Sequence, residues 1–117
     1  MNILLADDHA LFREGLSLLL SKLFPDITLD DAKDVEGARL ALHGSAPPDL
    51  VLLDLNMPGM EGFRGLRDLK AAFPAIPMAI LSMSDSLDDI HTAMRNGAAG
   101  YILKSSDHTI LEAAITL

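Results

Sequence analysis

Cysteine and tryptophan are both absent from this sequence of 117 residues. Without thiols the protein cannot form disulfide bonds, zinc–thiolate sites or iron–sulfur clusters, and it cannot use a cysteine nucleophile. Long hydrophobic runs are missing too, because the longest reach about four residues, whereas a membrane helix needs roughly 20. The first residues lack the basic segment of a secretory signal, and their short apolar run leads directly to Asp7 and Asp8. These absences predict a cytoplasmic protein that does not span a membrane.

Basic residues are also scarce. The sequence has 9 Lys and Arg against 17 Asp and Glu, which gives a formal net charge of −8. A field of this sign repels the phosphates of nucleic acids and the headgroups of anionic membranes. We therefore expect this chain to bind neither nucleic acid nor membranes directly.

Hydrophobic residues, in contrast, make up 50% of the sequence, which is enough to form the core of one domain. Short apolar runs alternate with longer amphipathic stretches. The runs are typical of strands buried on both faces, as in a parallel sheet covered by helices. They are Ile3–Ala6, Ile27–Leu29, Leu50–Leu53, Met78–Leu81 and Tyr101–Leu103.

The amphipathic stretches have the spacing of helices with one apolar face. The five faces comprise Phe12, Leu16, Leu19, Leu20 and Leu23; Val35, Ala38, Ala41 and Leu42; Phe63, Leu66, Leu69 and Phe73; Leu87, Ile90 and Met94; and Ile110, Leu111, Ala114 and Ile115. Right-handed crossovers between successive strands then predict an α/β fold, a doubly wound parallel sheet with five helices. The flavodoxin-like strand order 2-1-3-4-5 is the commonest for five such units and is the order we predict.

Polar side chains that could act together follow four of the predicted strands. Asp7 and Asp8 follow the first run and Asp54 the third, while Ser82 follows the fourth and Lys104 the fifth. Ligands of such sheets bind outside the carboxyl ends of the strands. The spacing therefore predicts that these side chains meet at one edge of the sheet.

Three carboxylates gathered at one edge repel one another unless a cation joins them. Mg²⁺ takes oxygen ligands and commonly keeps waters or phosphate oxygens. Asp8 and Asp54 could bind it directly and Asp7 directly or through water, with the backbone carbonyl of Asn56 as a further ligand. Lys104 adds a second positive group, so the arrangement is typical of a site that receives a phosphoryl group.

Each of these residues also has a simpler interpretation. Asp7–Asp8 could cap a helix, Asp54 could begin a turn, and Ser82 and Lys104 could lie in solvated loops. Their joint placement at successive strand ends favours the functional interpretation. The histidines lack the close spacing of a zinc site and are interpreted as rim or surface residues: His9, His43, His91 and His108.

Three segments of the sequence carry a family resemblance. They are LLADDHALFREGL at 4–16, DLVLLDLNMPGMEG at 49–62 and GAAGYILK at 97–104. Together they resemble the receiver domains of response regulators in two-component systems. The first segment is most similar to the NarL/FixJ-type subfamily, whose output is a LuxR-type helix-turn-helix domain. Because the resemblance covers the chain in order, residues 1–117 are interpreted as one receiver domain.

The resemblance implies a role for each strand-end residue. Asp54 would be the phosphoacceptor, taking its phosphoryl group from a sensor histidine kinase or a small phosphodonor with Mg²⁺ as cofactor. Asp7 and Asp8 would form the acidic pair, with Asp8 favoured as the direct metal ligand. Asn56 would lend its main-chain carbonyl to the metal, and Lys104 would bind the phosphate.

A conformational switch is also implied by the resemblance. Ser82 would be the switch hydroxyl and Tyr101 the switch aromatic, and phosphorylation could produce a homodimer. The chain would regulate an output domain and would not be an enzyme beyond its own phosphoryl transfer and dephosphorylation. Two positions depart from the family's pattern. Met83 stands where a small residue is usual, and Ser105 stands where many receivers have proline. A cis bond before a residue other than proline costs about 2.5–4 kcal/mol, so the sequence does not favour a cis bond between Lys104 and Ser105.

Two alternative functions use similar residues. A magnesium-dependent phosphatase of the haloacid dehalogenase type also has a strand-end aspartate and a lysine. It needs a second aspartate as general acid and base two positions after the nucleophile, where this sequence has Asn56. An interaction module with a degenerate receiver site would have lost Asp8, Asp54 or Lys104, and all three are present.

The last residues, 111–117, end within an apolar helical stripe that has no Gly, Pro or basic last turn to stop it. We therefore expect a longer protein with a DNA-binding output domain beyond residue 117. The negative charge agrees with this expectation, because contact with DNA would require a basic module elsewhere.

Overall fold

Five parallel strands form one sheet in the computed structural model, which describes residues 1–44, 46–105 and Ile115. The strands are β1 (Asn2–Ala6), β2 (Thr28–Ala32), β3 (Leu50–Asp54), β4 (Met78–Ser82) and β5 (Gly100–Leu103). Their order is β2-β1-β3-β4-β5, which confirms the predicted flavodoxin-like sheet. Strands β1, β3, β4 and β5 are each one residue longer than the predicted apolar run, and β2 is shifted along the chain.

Four helices connect these strands within the described residues. They are α1 (Ala10–Leu23), α2 (Val35–Leu42), α3 (Arg64–Ala72) and α4 (Leu87–Arg95). None of them has the length and apolarity needed to span a bilayer. The expected fifth helix lies outside the described residues except for Ile115, which is buried and packs into the core.

The core consists of two apolar layers, one on each face of the sheet. Successive strand side chains point to opposite faces, so the neighbours Leu52 and Leu53 of β3 enter different layers. Leu53 packs with Leu42 of α2 and Leu66 of α3, whereas Leu52 packs with Leu20 of α1. Because β3 is buried on both sides, its last residue, Asp54, is held in a fixed place at the carboxyl edge.

The predicted bounds of β2 were wrong. The strand was expected at Ile27–Leu29 but runs from Thr28 to Ala32, and it includes the exposed Asp30 and Asp31. It is an edge strand that pairs only with β1, and the side chains of Asp30 and Asp31 face water. A search for apolar runs finds strands that are buried on both faces and misses polar residues at an edge.

Helix α4 is confirmed, but its predicted apolar face is wrong. Leu87 is 71% exposed and Met94 is 47% exposed, whereas Ala93 is completely buried. At about 100° per residue, Ile90 lies between these two sides of the helix. The helix therefore packs through the small Ala93, with Ile90 half-buried beside it, and it leaves Leu87 and Met94 in solvent.

Two glycines in helices give a matched test of the packing. A Cβ at Gly65 of α3 would lie 2.8 Å from Met60 Sδ and 2.9 Å from Met60 Cα, so Gly65→Ala should destabilise the fold by about 1–3 kcal/mol through overpacking. At Gly15 of α1 a Cβ would meet nothing within 4 Å. Gly15→Ala should therefore stabilise by roughly 0.5–1 kcal/mol. Urea denaturation measures both, and shifts of the same sign would contradict this description.

Candidate metal centre at the carboxyl edge of the sheet

Two buried aspartates lie side by side where neighbouring strands end. Asp54 is the last residue of β3, and Asp7 directly follows β1, whose Ala6 pairs with Leu53 of β3. Both aspartates have 0% exposure. The backbone N–H of Asp7 donates to the carbonyl of Ala32 at 2.9 Å. Strand pairing thus holds two carboxylates together, as the sequence predicts.

Lys104 is the positive partner of this pair. Its Nζ lies 2.9 Å from Asp7 Oδ2 and 3.2 Å from Asp54 Oδ1, and its side chain is only 7% exposed. The same ammonium lies 4.6 Å from the centre of the Phe12 ring. Its backbone N–H donates to the carbonyl of Ser82 at 2.8 Å, and this hydrogen bond joins the residue after β5 to the end of β4.

His9 also reaches the cluster, which the sequence interpretation missed. It is the N-cap residue of α1, and its backbone N–H donates to Asp7 Oδ1 at 2.8 Å. Its Nδ1 lies 3.1 Å from Asp7 Oδ1 and 3.5 Å from both Asp8 Oδ1 and Asp54 Oδ2. A signal was available, since His9 directly follows the strand-end Asp8. The N-cap position considered for Asp7–Asp8 is thus occupied by His9, whose side chain makes no capping hydrogen bond.

Arg13 is a second contributor that the sequence interpretation missed. Its Nη1 donates to the backbone carbonyl of Asp7 at 2.5 Å, and its Nε donates to Asp31 Oδ2 at 3.1 Å. The guanidinium thereby joins α1, the loop after β1 and the edge strand β2. This bridge fixes the backbone that carries Asp7 and Asp8.

The two buried carboxyl groups have opposite pKa shifts. Burial raises the pKa of Asp54, and the negative charge of Asp7 adds to that effect, against the Asn56 N–H and Lys104. Burial also opposes ionisation of Asp7, but the His9 N–H and Lys104 outweigh it and hold the pKa of Asp7 below its usual value. Asp54 is therefore the carboxylate that is costlier to keep charged.

The donor set fits a divalent cation. One ligand atom from each of Asp7, Asp8, His9 and Asp54 lies within 4.8 Å of the others. Within the described residues, the buried Asp54 Oδ2 has no hydrogen-bond partner, and Lys104 contacts two of the three carboxylates, those of Asp7 and Asp54. This pocket can bind a metal ion, because a cation would both pair the orphaned oxygen and relieve the repulsion.

The remaining predicted site residues lie around this cluster. Asn56 donates its backbone N–H to Asp54 Oδ1 at 3.2 Å. Ser82 is 1% exposed, and its Oγ accepts from the backbone N–H of Ser84 at 3.0 Å. Tyr101 is half-buried and lies outside the cluster, and its hydroxyl donates to the carbonyl of Ser84 at 2.8 Å. The two expected switch residues thus meet through Ser84.

The two positions that depart from the family's pattern lie beside Lys104. Met83 and Ser105 line a depression of about 390 Å³ with His9, Leu11, Phe12 and Lys104. No cis peptide bond occurs in the described residues, so the bond between Lys104 and Ser105 is trans. Of the other histidines, His43 and His91 are exposed, as predicted, and His108 lies outside the described residues.

A family model described as "Response regulator receiver domain" matches residues 3–116. The chain belongs to the response regulator receiver family. It is 41% identical over 114 residues to the glycerol metabolism activator of Pseudomonas putida, covering 97% of this chain and 51% of that protein. It is also 41% identical over 105 residues to the nitrate/nitrite response regulator NarL of Escherichia coli K12, covering 90% of this chain and 48% of that protein.

Solved structures agree with this assignment. A LuxR-family two-component response regulator from an Aurantimonas species superposes with a TM-score of 0.89 at 32% identity, covering 98% of this chain and 81% of that one. The signal receiver domain of a DNA-binding response regulator from Colwellia psychrerythraea has a TM-score of 0.88 at 30% identity, covering 99% and 95%. The chain is thus a receiver domain of the NarL/LuxR type, and it spans about half the length of the curated relatives it matches.

The repulsion within the receiver's cluster predicts that Asp54→Asn stabilises the fold. A raised folded-state pKa means that the wild type loses stability as pH rises from the usual carboxyl value through the raised one. In the presence of a chelator, Asp54→Asn should therefore melt at a higher temperature than the wild type at neutral pH. The difference should shrink as the medium is acidified, because both side chains are then neutral.

Thermal unfolding followed by circular dichroism over a pH series measures this difference. Asp30→Asn, at an exposed position of β2, is the matched control and should change the melting temperature little. A lower melting temperature for Asp54→Asn than for the wild type would show that Lys104 more than compensates the repulsion.

Proposed function

We propose that this receiver accepts a phosphoryl group on Asp54 from the phosphohistidine of a sensor histidine kinase or from a small phosphodonor, with Mg²⁺ as cofactor. In a longer cytoplasmic protein, the phosphorylated state would control a DNA-binding output domain that regulates transcription. The observation that carries the proposal is the buried Asp54 carboxylate at the carboxyl edge, with Asp7 and Lys104 beside it. Its activity would be limited to its own phosphorylation and dephosphorylation.

The chain's own residues prepare Asp54 for attack. Lys104 and the Asn56 N–H both approach Asp54 Oδ1, so the carboxylate plane is held in one orientation. A carboxylate oxygen forms the new bond to phosphorus while the bond from phosphorus to the donor atom breaks, as in other aspartyl-phosphate enzymes. Positioning and electrostatics account for most of the rate of such a transfer.

The metal would be held by Asp8, Asp54 and the Asn56 carbonyl, with Asp7 directly or through water. When bound, it supplies positive charge for the phosphoryl oxygens. Lys104 is the second cation within reach of those oxygens, because its Nζ already lies 3.2 Å from Asp54 Oδ1. The chain therefore places one positive group of its own beside the phosphoacceptor.

Exposed apolar side chains support docking of a protein phosphodonor. Leu11 is 84% exposed and Met83 is 67% exposed, and both line the depression beside Lys104. A kinase domain that covers this depression would bury apolar surface and would exclude water from the transfer.

The switch would pass through the loop between β4 and α4. Ser82 Oγ accepts from the Ser84 N–H, so its own O–H remains available to donate to a phosphoryl oxygen. A shift of Ser82 moves Ser84, whose carbonyl holds the Tyr101 hydroxyl. The exposed Leu87 and Met94 of the following helix support a contact with a second copy or with the output domain.

Phosphorylation of Asp54 is the direct test. Incubation with acetyl phosphate and Mg²⁺ should add one phosphoryl group, measured by intact mass, and hydroxylamine should remove it. Asp54→Asn should add none, because the nucleophilic oxygen is lost. The control is Asp49→Asn, since Asp49 precedes the opposite end of β3 and accepts from the Asn2 N–H. Equal incorporation by Asp54→Asn and the wild type would refute the assignment.

The coupling of Ser82 to Tyr101 has its own test. Ser82→Ala should leave acceptance of the phosphoryl group largely intact but remove a charge-assisted hydrogen bond, worth about 1.5–3 kcal/mol. The factor by which phosphorylation changes the equilibrium constant between the two conformations should therefore fall by roughly 10- to 100-fold. Because the sequence contains a single tyrosine, ¹⁹F NMR of fluorotyrosine-labelled protein reports on Tyr101 alone.

Ser84→Ala is the matched control for that measurement, since it keeps the backbone groups that contact Ser82 and Tyr101. Its fluorine resonance should still move on phosphorylation. If the resonance moves equally in Ser82→Ala and the wild type, the coupling passes by another route.

A further inference from the structure

His9 lies in the acidic cluster although phosphoryl transfer gives it no role. Its Nδ1 is 3.1 Å from an oxygen of Asp7 and 3.5 Å from oxygens of Asp8 and Asp54. Around an ion with ligand distances of about 2.1 Å, adjacent ligand atoms lie roughly 3 Å apart and opposite atoms roughly 4 Å apart. The spacing of Nδ1 from these three oxygens therefore fits a nitrogen ligand beside carboxylate ligands.

We propose that His9 Nδ1 is a ligand of the metal at this site, so that the receiver binds divalent transition ions more tightly than Mg²⁺. This inference rests on the metal site of the proposed function. Carboxylates and water alone suit Mg²⁺, whereas an imidazole nitrogen favours first-row transition ions such as Co²⁺, Ni²⁺ and Zn²⁺. The ligand set would thus decide which cofactor the receiver carries.

The position of Nδ1 allows it to act as a ligand. Lys104 Nζ lies 3.3 Å from Nδ1 and Asp7 Oδ1 lies 3.1 Å from it, so Nδ1 can either accept from Lys104 or donate to Asp7. In the neutral tautomer with its proton on Nε2, the lone pair of Nδ1 shares the space that the carboxylate oxygens line. An ion bound there would use that lone pair and would hold the imidazole in this tautomer.

A second observation points to a ligand at the same place. Asp54 Oδ2 belongs to a side chain that is 1% exposed, lies 3.5 Å from Nδ1, and has no hydrogen-bond partner within the described residues. The His9 ring is 61% exposed, so the site is open to ions on its side. The backbone N–H of His9 donates to Asp7 Oδ1 at 2.8 Å, and this hydrogen bond keeps the imidazole at the edge of the cluster.

Calorimetric titration with Co²⁺ and, separately, with Mg²⁺ tests the proposal on the wild type and His9→Gln. We expect His9→Gln to lose about tenfold or more of the Co²⁺ affinity and to change the Mg²⁺ affinity much less. The Co²⁺-bound wild type should also show a paramagnetically shifted imidazole N–H proton resonance that His9→Gln lacks. His91→Gln, at an exposed position of α4, is the control and should match the wild type.

Asp8→Ala distinguishes the two levels of the argument. Suppose that Asp8→Ala weakens the binding of both ions, that His9→Gln leaves the Co²⁺ affinity unchanged, and that the wild type lacks the shifted resonance. The metal site is then supported, and the proposal that His9 Nδ1 is a ligand is overturned. His9 would then only donate a hydrogen bond to Asp7. If Asp8→Ala weakens neither ion, the metal site of the proposed function fails, and the inference fails with it.

Discussion

The mutual repulsion of carboxylates at the carboxyl edge of the sheet is the constraint on which the site depends. Burial of β3 on both faces places Asp54 beside Asp7 with neither side chain in water. Lys104 partly compensates by approaching both, yet one oxygen of Asp54 keeps no partner among the described residues. The apolar core therefore holds together charges that would separate in solution. A cation that binds between them would lower the free energy of the folded protein.

The same constraint bears on the proposed response to phosphorylation. A phosphoryl group would replace a compact carboxylate with a larger, more negative group that needs new donors. The nearest uncommitted donor on β4 is the hydroxyl of Ser82, and that residue already contacts Ser84, which in turn holds Tyr101. Ser82 at the end of β4 is thus connected to Tyr101 of β5 by two hydrogen bonds that meet at Ser84, and the proposed switch would use the loop after β4.

Much of the fold was predictable because the sheet is buried. Strands such as β3 and β4 show as continuous apolar runs, and a polar residue directly after each run marks the edge where Asp54 and Ser82 lie. The prediction failed where burial is incomplete. The edge strand β2 includes the exposed Asp30 and Asp31, and α4 packs through the small Ala93, so neither follows a rule based on large apolar side chains.

The site was predictable for residues that strand ends position and not for those that α1 contributes. His9 and Arg13 reach the cluster from the loop and first turn after β1, where side-chain direction depends on how the helix docks on the sheet. Arg13 holds the Asp7 carbonyl and Asp31, so α1 fixes the acidic loop against the edge strand. Helix α1 thereby contributes to the site as well as to the core. Its docking adds a nitrogen to an oxygen-rich cluster, and so determines which cations the carboxylates can share.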